Sequence, residues 1–494
     1  MPATANDLRG YLAEVERSGR LRRIDLPVDA RSEVGPVLSR AEMSGPILLS
    51  DVGGARVLGN LLTTRDEIAA VIGVPGQPEL VSERLLEAIR APVPPREVES
   101  GPGDAVVTDD VDLRALPIPE FFSRESGAYI TGGIICVTDV VTGERNLSYA
   151  RFKILGERTA MLGVSPNHHL GRMAARAREA GRSLPIAVVL GVHPALTLAA
   201  CLYLGFGDDE MEVAGALLGE AVDVRPVCDG SVWAPSHAEI VLEGEVVPGE
   251  FVEEGLVSEF HGRYHDYGAG LLTRFTGMRT REDPVLPVVV PGLHREHLIL
   301  ASVPIAAGLL DQLRRIEPGV REVAVPDSGA GRTSAVVSVE NLPPGRAKQL
   351  MFACWAAVPL IKQVVVVDAE IDPWNEEAVA WARLTHARPE RDFLIVPGAR
   401  TDRSDPQVRD FQVGKLGVDA TAKAGDRAEG WEFARFPDGA LERADEILRA
   451  AGIEGVRSPV NQGVSYGLGE RDRFRARREY DAARQSDSRN MRTC

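Results

Sequence analysis

The stretch EGLVSEFHG at 254–262 sets two carboxylates, Glu254 and Glu259, five residues apart, with a histidine and two glycines around them. Carboxylates in a closed pocket are pushed away from their ordinary pKa values, and a pair of them can divide acid and base roles. The chain carries 72 Asp and Glu residues against 56 Lys and Arg, so this spacing needs partners before it means chemistry. Three other segments offer them. RNLSYARFKI at 145–154 carries Asn146 and Arg151 on a strand-like run. SPNHHLGRMAARAREAG at 165–181 puts His168 and His169 where a loop opens a helix, a place for a metal or a phosphate, or simply a solvated pair of histidines. GFGDDEMEVAGALLGE at 205–220 leads an acidic cluster ending in Glu210 into a small-residue helix, where acids also serve as ordinary complements to the helix dipole. An amide, an imidazole and a carboxylate make a mixed N/O donor set suited to Mn²⁺ or Mg²⁺, with positions left open for a phosphate. The guanidinium fork of Arg151 matches a carboxylate such as Glu254.

The elements that must position these groups read as mixed α and β. Leu8, Leu12 and Val15 recur at helical spacing, strand-like PILLSDV and RVLGNLL follow, and SERLLEAIRA is helical. The segment APVPPREVESGPGD at 91–104 reads as a linker. The expected organisation is an N-terminal α/β domain over 1–105, a central β-barrel domain over 106–312, a C-terminal α/β domain over 313–465, and a helix and tail over 466–494. The central domain is assigned its apolar runs YITGGIICVTDV, LPIAVVLGV, AEIVLEGEVV and PVLPVVV. The third domain alternates REVAVPDSG, SAVVSVEN and KQVVVVDAEID with a helical stretch.

Composition narrows the function. A formal charge of −16 over 494 residues argues against a general nucleic-acid binder, which needs basic surface against phosphate. Five cysteines without CxxC spacing fit a reducing cytoplasm better than a disulfide framework or a zinc site. No apolar run reaches membrane-spanning length, and the N-terminus lacks a secretory pattern, so a cytoplasmic protein without membrane contact is expected.

In their order along the chain these motifs resemble the UbiD family of reversible decarboxylases that use prenylated FMN. The resemblance rests on Asn146-x4-Arg151, the Pro166-x-His168 loop, Glu210 with Gly215, APSHAEIVLEG at 234–244, the 254–262 motif, IKQVVVVDAEIDPWN at 361–375, WARL at 381–384 and GKLGVDATAK at 414–423. It implies a central split β-barrel that binds the flavin. It implies that Asn146, His168 and Glu210 hold a divalent metal, Mn²⁺ or Mg²⁺, which clasps the flavin phosphate. His168 is preferred over His169 on the Pro-x step. Ser148, Arg151, His169 and Lys362 complete the cofactor-binding set, with K⁺ nearby. Arg151, Glu254 and Glu259 become the catalytic network, Glu254 ion-paired and Glu259 the proton donor. A small carboxylic acid as substrate, a flavin prenyltransferase as cofactor supplier and a homodimer or larger homo-oligomer are implied too.

The chemistry asks for such a cofactor. Losing CO₂ from an unactivated acid leaves an electron pair on carbon, and protein side chains offer no sink for it. A proton must then arrive at that carbon. The alternative class is a flavin oxidoreductase using unmodified FMN, whose hydride transfer would need neither the metal set nor the Arg–Glu–Glu network. Some positions depart from the family pattern. His386 and Arg388 stand where relatives often carry one arginine, and His294, Glu296 and His297 occupy a loop, 288–300, that reads either as a pocket or lid segment or as a solvated helix start. Trp233, Trp355, Trp374 and Trp381 read as core or interface residues.

Overall fold

The computed structural model describes residues 6–423, 436–437 and 439–454; the expected terminal helix and tail over 466–494 lie outside them. The chain divides into two compact units, one of residues 1–76 with 84–304 and one of 77–83 with 305–494. The first unit therefore holds both the N-terminal segment and most of the expected central domain.

The N-terminal segment forms as its periodicity dictates. Asp7 caps the helix Leu8–Arg17 by accepting from Gly10 N at 2.7 Å, and Leu8, Tyr11, Leu12 and Val15 turn inward. Thr64 and Glu67 form a reciprocal capping box on the helix Arg65–Val71. The strands Arg22–Pro27, Ile47–Val52 and Ala55–Gly59 make a sheet whose fourth member is Val285–Pro287, pairing in parallel with Ala55–Gly59. This corrects one expectation, since PVLPVVV was assigned to the central barrel. Residues 285–287 are all buried, and a short apolar run carries no sign of which sheet it joins.

The central sheet has nine strands. Its order is Tyr129–Ile130, Arg151–Ile154, Thr159–Gly163, Ala269–Thr280, Ile240–Glu253, Leu184–Leu190, Gly133–Thr138 and Arg145–Tyr149, with Val106–Thr108 pairing off Ala269–Thr280. Every pairing is antiparallel. Among the described residues no pairing joins the two ends into a closed barrel. The long pair Ile240–Glu253 and Ala269–Thr280 shifts register between Val246 and Phe251, where the sequence is Val-Pro-Gly-Glu and Gly249 has φ +76°. A proline without an N–H and a glycine in the left-handed region suit a bulge and not a ladder. One core joins the two sheets: Leu49 and Val57 pack in the same cluster as Ile135, Val188, Phe152 and Phe275. Phe152 and Phe275 meet edge to face at 5.9 Å between centroids.

The second unit carries a five-stranded sheet in the order Val320–Ala324, Ser334–Val339, Gln363–Asp368, Gln412–Ala420, Phe393–Arg400. Its middle three strands run parallel, and the near-continuous valine runs match strands covered on both faces. Trp374 and Trp381 pack on its core, and Trp355 is buried. Cys136, Cys201, Cys228 and Cys354 are free thiols, and among the described residues no helix is long and apolar enough to cross a membrane.

Within the first unit the fully buried Glu239 takes a two-pronged hydrogen bond from Arg9, at 2.8 and 2.9 Å, and accepts from Val285 N at 3.1 Å. Glu239→Ala would leave Val285 N without its acceptor and Arg9 without its carboxylate, so a loss of about 1–3 kcal/mol is expected in urea unfolding; a loss below about 0.5 kcal/mol would show that this carboxylate does not tie the segments together.

Candidate active site

Glu254 and Glu259 occupy different kinds of backbone. Glu254 follows the end of the strand Ile240–Glu253 and is 2% exposed. Gly255, at φ +75°, turns the chain there, and a Cβ on it would meet Ser126 Cβ at 3.0 Å. The chain then forms a hairpin, Leu256–Ser258 with Tyr264–Asp266. Glu259 opens its turn, donating from its backbone N to Arg263 O at 3.0 Å and accepting from Gly262 N at 2.7 Å.

Arg151 grips Glu254 with both prongs, Nε to Oε1 at 2.5 Å and a terminal nitrogen to Oε2 at 2.6 Å. Burial pulls the guanidinium pKa down, but the Glu254 hydrogen bonds and the charges of Glu254 and Glu259 outweigh it and hold Arg151 above its ordinary value. The Tyr267 ring lies 5.2 Å from the guanidinium carbon. Lys153 Nζ donates to the Glu254 carbonyl at 2.6 Å, and the Ser126 hydroxyl donates to the same carbonyl. Glu254 is thus fixed at both its side chain and its backbone.

Glu125 does the same for the neighbouring turn. One of its oxygens accepts from Ser258 N at 3.2 Å and from the Ser258 hydroxyl, and the other accepts from Phe121 N and Phe122 N at 3.1 and 3.2 Å. Sequence reading did not pick out Glu125, Ser126 or Lys153. Much of their bonding is to backbone atoms, which leaves no spacing signature; only the run RESGAY, polar residues beside an apolar strand, hints at them.

Asn146 lies buried on the strand Arg145–Tyr149, where its amide nitrogen donates to Ser148 Oγ at 2.5 Å. That bond turns Oδ1 toward His169, whose Nδ1 sits 3.2 Å away. Of the two histidines, it is His169 whose ring meets this amide. His168 is the exposed N-cap of the helix His169–Glu179, and His169 is its first residue, facing Asn146 and stacking edge-on against Phe206. One step across a helix start redirects a side chain by about a quarter turn. Burial lowers the His169 pKa, which favours the neutral imidazole that metals bind.

Glu210 is the first residue of the helix Glu210–Leu218, capped by Asp209, and is 2% exposed. It accepts from Leu147 N at 2.8 Å, beside Asn146 on the same strand. Burial pushes its pKa up to about 8, against that hydrogen bond. Among the described residues no three His, Cys, Asp or Glu side chains gather as a metal cluster. Asn146 and His169 meet side chain to side chain, and Glu210 bonds to the backbone one residue along; an amide, an imidazole and a carboxylate are donor types that a divalent cation accepts. Lys362 belongs to the second unit, where its ammonium pairs with the fully buried Asp405 at 3.1 Å. Nearby Lys415, buried against two carbonyls, has its pKa pushed down to about 8 by desolvation.

The 288–300 segment combines both readings, cavity lining over Pro291–His294 and a helix start with satisfied polar residues from Arg295. A cavity of about 380 Å³ is lined by Ser258 and Arg263 of the Glu259 hairpin and by Pro291–His294. A Cβ on Gly262 would meet Leu293 Cδ1 at 2.6 Å, so the hairpin and the loop touch. Glu296 is structural: it accepts from Asn60 N at 3.0 Å and Leu62 N at 2.9 Å, and burial pushes its pKa up to about 7. His297 closes the loop on Gly292 O at 3.0 Å. In the second unit His386 sits 3.3 Å from the Ala420 carbonyl and packs against Trp381.

The Glu210 environment gives a pH prediction. Its folded pKa of about 8 lies above its unfolded value, so the metal-free fold binds that proton more tightly and loses stability as pH rises from about 5 through 8. The slope from this group is up to about 1.4 kcal/mol per pH unit. Glu210→Gln should flatten the slope relative to wild type in urea unfolding of metal-free protein at pH 5.5 and 8.5. Identical slopes in the two proteins would contradict the assignment.

Three family models cover most of the chain: the 3-octaprenyl-4-hydroxybenzoate carboxy-lyase N-terminal domain over 12–95, its Rift-related domain over 96–294 and its C-terminal domain over 298–420. The anhydromevalonate phosphate decarboxylase of Methanosarcina mazei is 30% identical over 434 residues, covering 87% of this chain and 99% of that protein. The protein of the same name from Methanothermobacter thermautotrophicus is 33% identical, covering 74% of this chain and 85% of that protein. Among solved structures, the UbiD-class enzyme HmfF from Pelotomaculum thermopropionicum in complex with FMN superposes with a TM-score of 0.84 at 33% identity, covering 89% of this chain and 99% of that one. An evolved dimeric form of HmfF in complex with prenylated FMN gives 0.80 at 32% identity, with the same coverage. With its three domains matched in order and relatives aligned along most of their length, the chain belongs to the UbiD family of carboxy-lyases.

Proposed function

We propose that this protein is a non-oxidative decarboxylase of an α,β-unsaturated or aromatic carboxylic acid that works with prenylated FMN. The reading is carried by the two-pronged Arg151–Glu254 pair with Glu259 on the next turn. FMN and prenylated FMN in the HmfF structures, and decarboxylase relatives acting by name on anhydromevalonate phosphate, support it. Asn146, His169 and Glu210 would hold a divalent cation at the cofactor phosphate, Mn²⁺ or Mg²⁺ by donor type. When bound, prenylated FMN supplies the electron sink that no side chain here can provide.

The chain's own residues do the rest. Arg151 holds the Glu254 carboxylate in a charge-assisted, two-pronged hydrogen bond. Glu259 opens a hairpin turn and is only partly buried, while Glu254 occupies the fork. An incoming carboxylate adds like charge beside both acids, and the one outside the fork takes up the proton more readily. Once CO₂ has left, Glu259 delivers that proton to the vacated carbon, a transfer worth on the order of 10²–10⁴-fold in rate. Glu125 and Ser126 hold the two turns, so the acids keep their separation through the cycle.

Glu259→Gln in protein loaded with prenylated FMN should lower CO₂ release by at least about 10²-fold with cofactor content unchanged; rates near wild type would remove Glu259 from the donor role. His169→Ala and Glu210→Ala should lower metal and flavin content together, by metal analysis and absorbance, while His168→Ala leaves both near wild type. The reverse order of the two histidine variants would restore His168 as the ligand.

A further inference from the structure

Three segments carry the candidate metal ligands, and one aromatic ring stands where they meet. Asn146 lies on the strand Arg145–Tyr149, His169 opens the helix His169–Glu179, and Glu210 opens the helix Glu210–Leu218. Phe206, on the loop that leads to Glu210, meets the His169 ring edge to face, with centroids 5.1 Å apart and planes at 76°. The guanidinium carbons of Arg172 and Arg176, on the same helix as His169, lie over the Phe206 ring at 4.9 and 4.5 Å. Arg176 is anchored in turn, 3.0 Å from the fully buried Asp139 carboxylate and 3.8 Å from that of Glu144. Asp139 and Glu144 belong to the turn that leads into the Asn146 strand, where Asp139 N donates to Glu144 O at 2.8 Å. The loop of Phe206 is held as well. Gly205 N donates to Asp208 Oδ2 at 3.0 Å, and Gly207, at φ +98°, runs so close to the turn that a Cβ on it would meet Glu144 Oε1 at 3.1 Å.

Apolar packing alone does not ask for an aromatic ring here. Phe206 is half-buried at the margin of the core, where a leucine would fill much of the same space. The electrostatics of the ring do more. Arg172 and Arg176 are one helical turn apart, a like-charge pair that repels, and the negative face of an aromatic ring offsets that repulsion. The edge-on contact fixes which way the His169 imidazole turns beside Asn146 Oδ1. Groups that orient the ligands of a metal govern its affinity by about 10- to 100-fold. Resting on the ligand set of the reading above, we propose that Phe206 is a positioning residue of the metal site. It sets the His169 ring and locks the three ligand-bearing segments at the spacing a divalent cation needs, and it supplies no ligand atom itself.

Metal affinity tests this apart from turnover. The full chain, freed of metal by chelation and supplied with saturating FMN, is titrated with Mn²⁺, and free Mn²⁺ is read by electron paramagnetic resonance. Phe206→Leu should weaken binding about 10- to 100-fold, whereas Phe206→Tyr, which keeps the ring, should bind as wild type does. Gly207→Ala keeps the ring but strains the loop beside Glu144, and it should weaken binding too; it decides the matter if Phe206→Leu does not fold by circular dichroism. Wild-type affinity in either weakened variant, or a Phe206→Tyr as weak as Phe206→Leu, overturns the proposal. His169→Ala separates this from the reading beneath it. Mn²⁺ binding unchanged in His169→Ala, or absent from wild type, overturns the ligand set and this proposal with it; binding lost in His169→Ala but kept in Phe206→Leu removes Phe206 alone.

Discussion

The Arg151–Glu254 ion pair is the constraint around which the first unit is arranged. The strand Arg151–Ile154 and the strand that ends at Glu253 are not neighbours: Thr159–Gly163 and Ala269–Thr280 lie between them. In a flat sheet that spacing is about 14 Å. Arg151 covers that distance with its own length: a Cβ on Gly163 of the intervening strand would meet its guanidinium carbon at 3.0 Å, and its nitrogens reach Glu254 at 2.5 and 2.6 Å. The bulge at Val247–Glu250 bends the long strand before its end, and Gly255 turns the chain past it, so that Glu254 reaches back across the sheet. The pair thus ties the second strand of the sheet to the end of the fifth, across two intervening strands.

A buried ion pair is weak evidence for stability, because desolvation offsets most of its attraction. Its value here is specificity of position and charge. Removing Arg151 would leave the Glu254 carboxylate buried without its guanidinium. Glu210 shows the opposite arrangement: a buried carboxylate held by backbone N–H groups, its pKa pushed up to about 8 by burial.

Much of this was legible in the sequence because function here is carried by side chains with fixed spacing. Glu210 opens a small-residue helix, as its segment predicted, while the single strand-like run expected for Asn146 and Arg151 divides into two strands, Arg145–Tyr149 and Arg151–Ile154, that are far apart in the sheet order. What the sequence hid has physical causes. His168 and His169 differ by one residue, and only the helix start, with His168 as its N-cap, decides which ring meets the amide. Glu125 and Ser126 act through backbone atoms. Val285–Pro287 joins the N-terminal sheet because strand pairing is settled by tertiary contacts and not by the run of apolar residues.

The division of labour between the two acids is tested most directly by hydrogen exchange at the carbon that CO₂ leaves. The decarboxylated product, incubated in D₂O with cofactor-loaded enzyme and followed by proton NMR, isolates the proton-transfer half of the reaction. The account predicts steady deuterium uptake at that carbon with wild-type enzyme and none above background with Glu259→Gln. Uptake at the wild-type rate in Glu259→Gln would contradict it and move the donor elsewhere in the site.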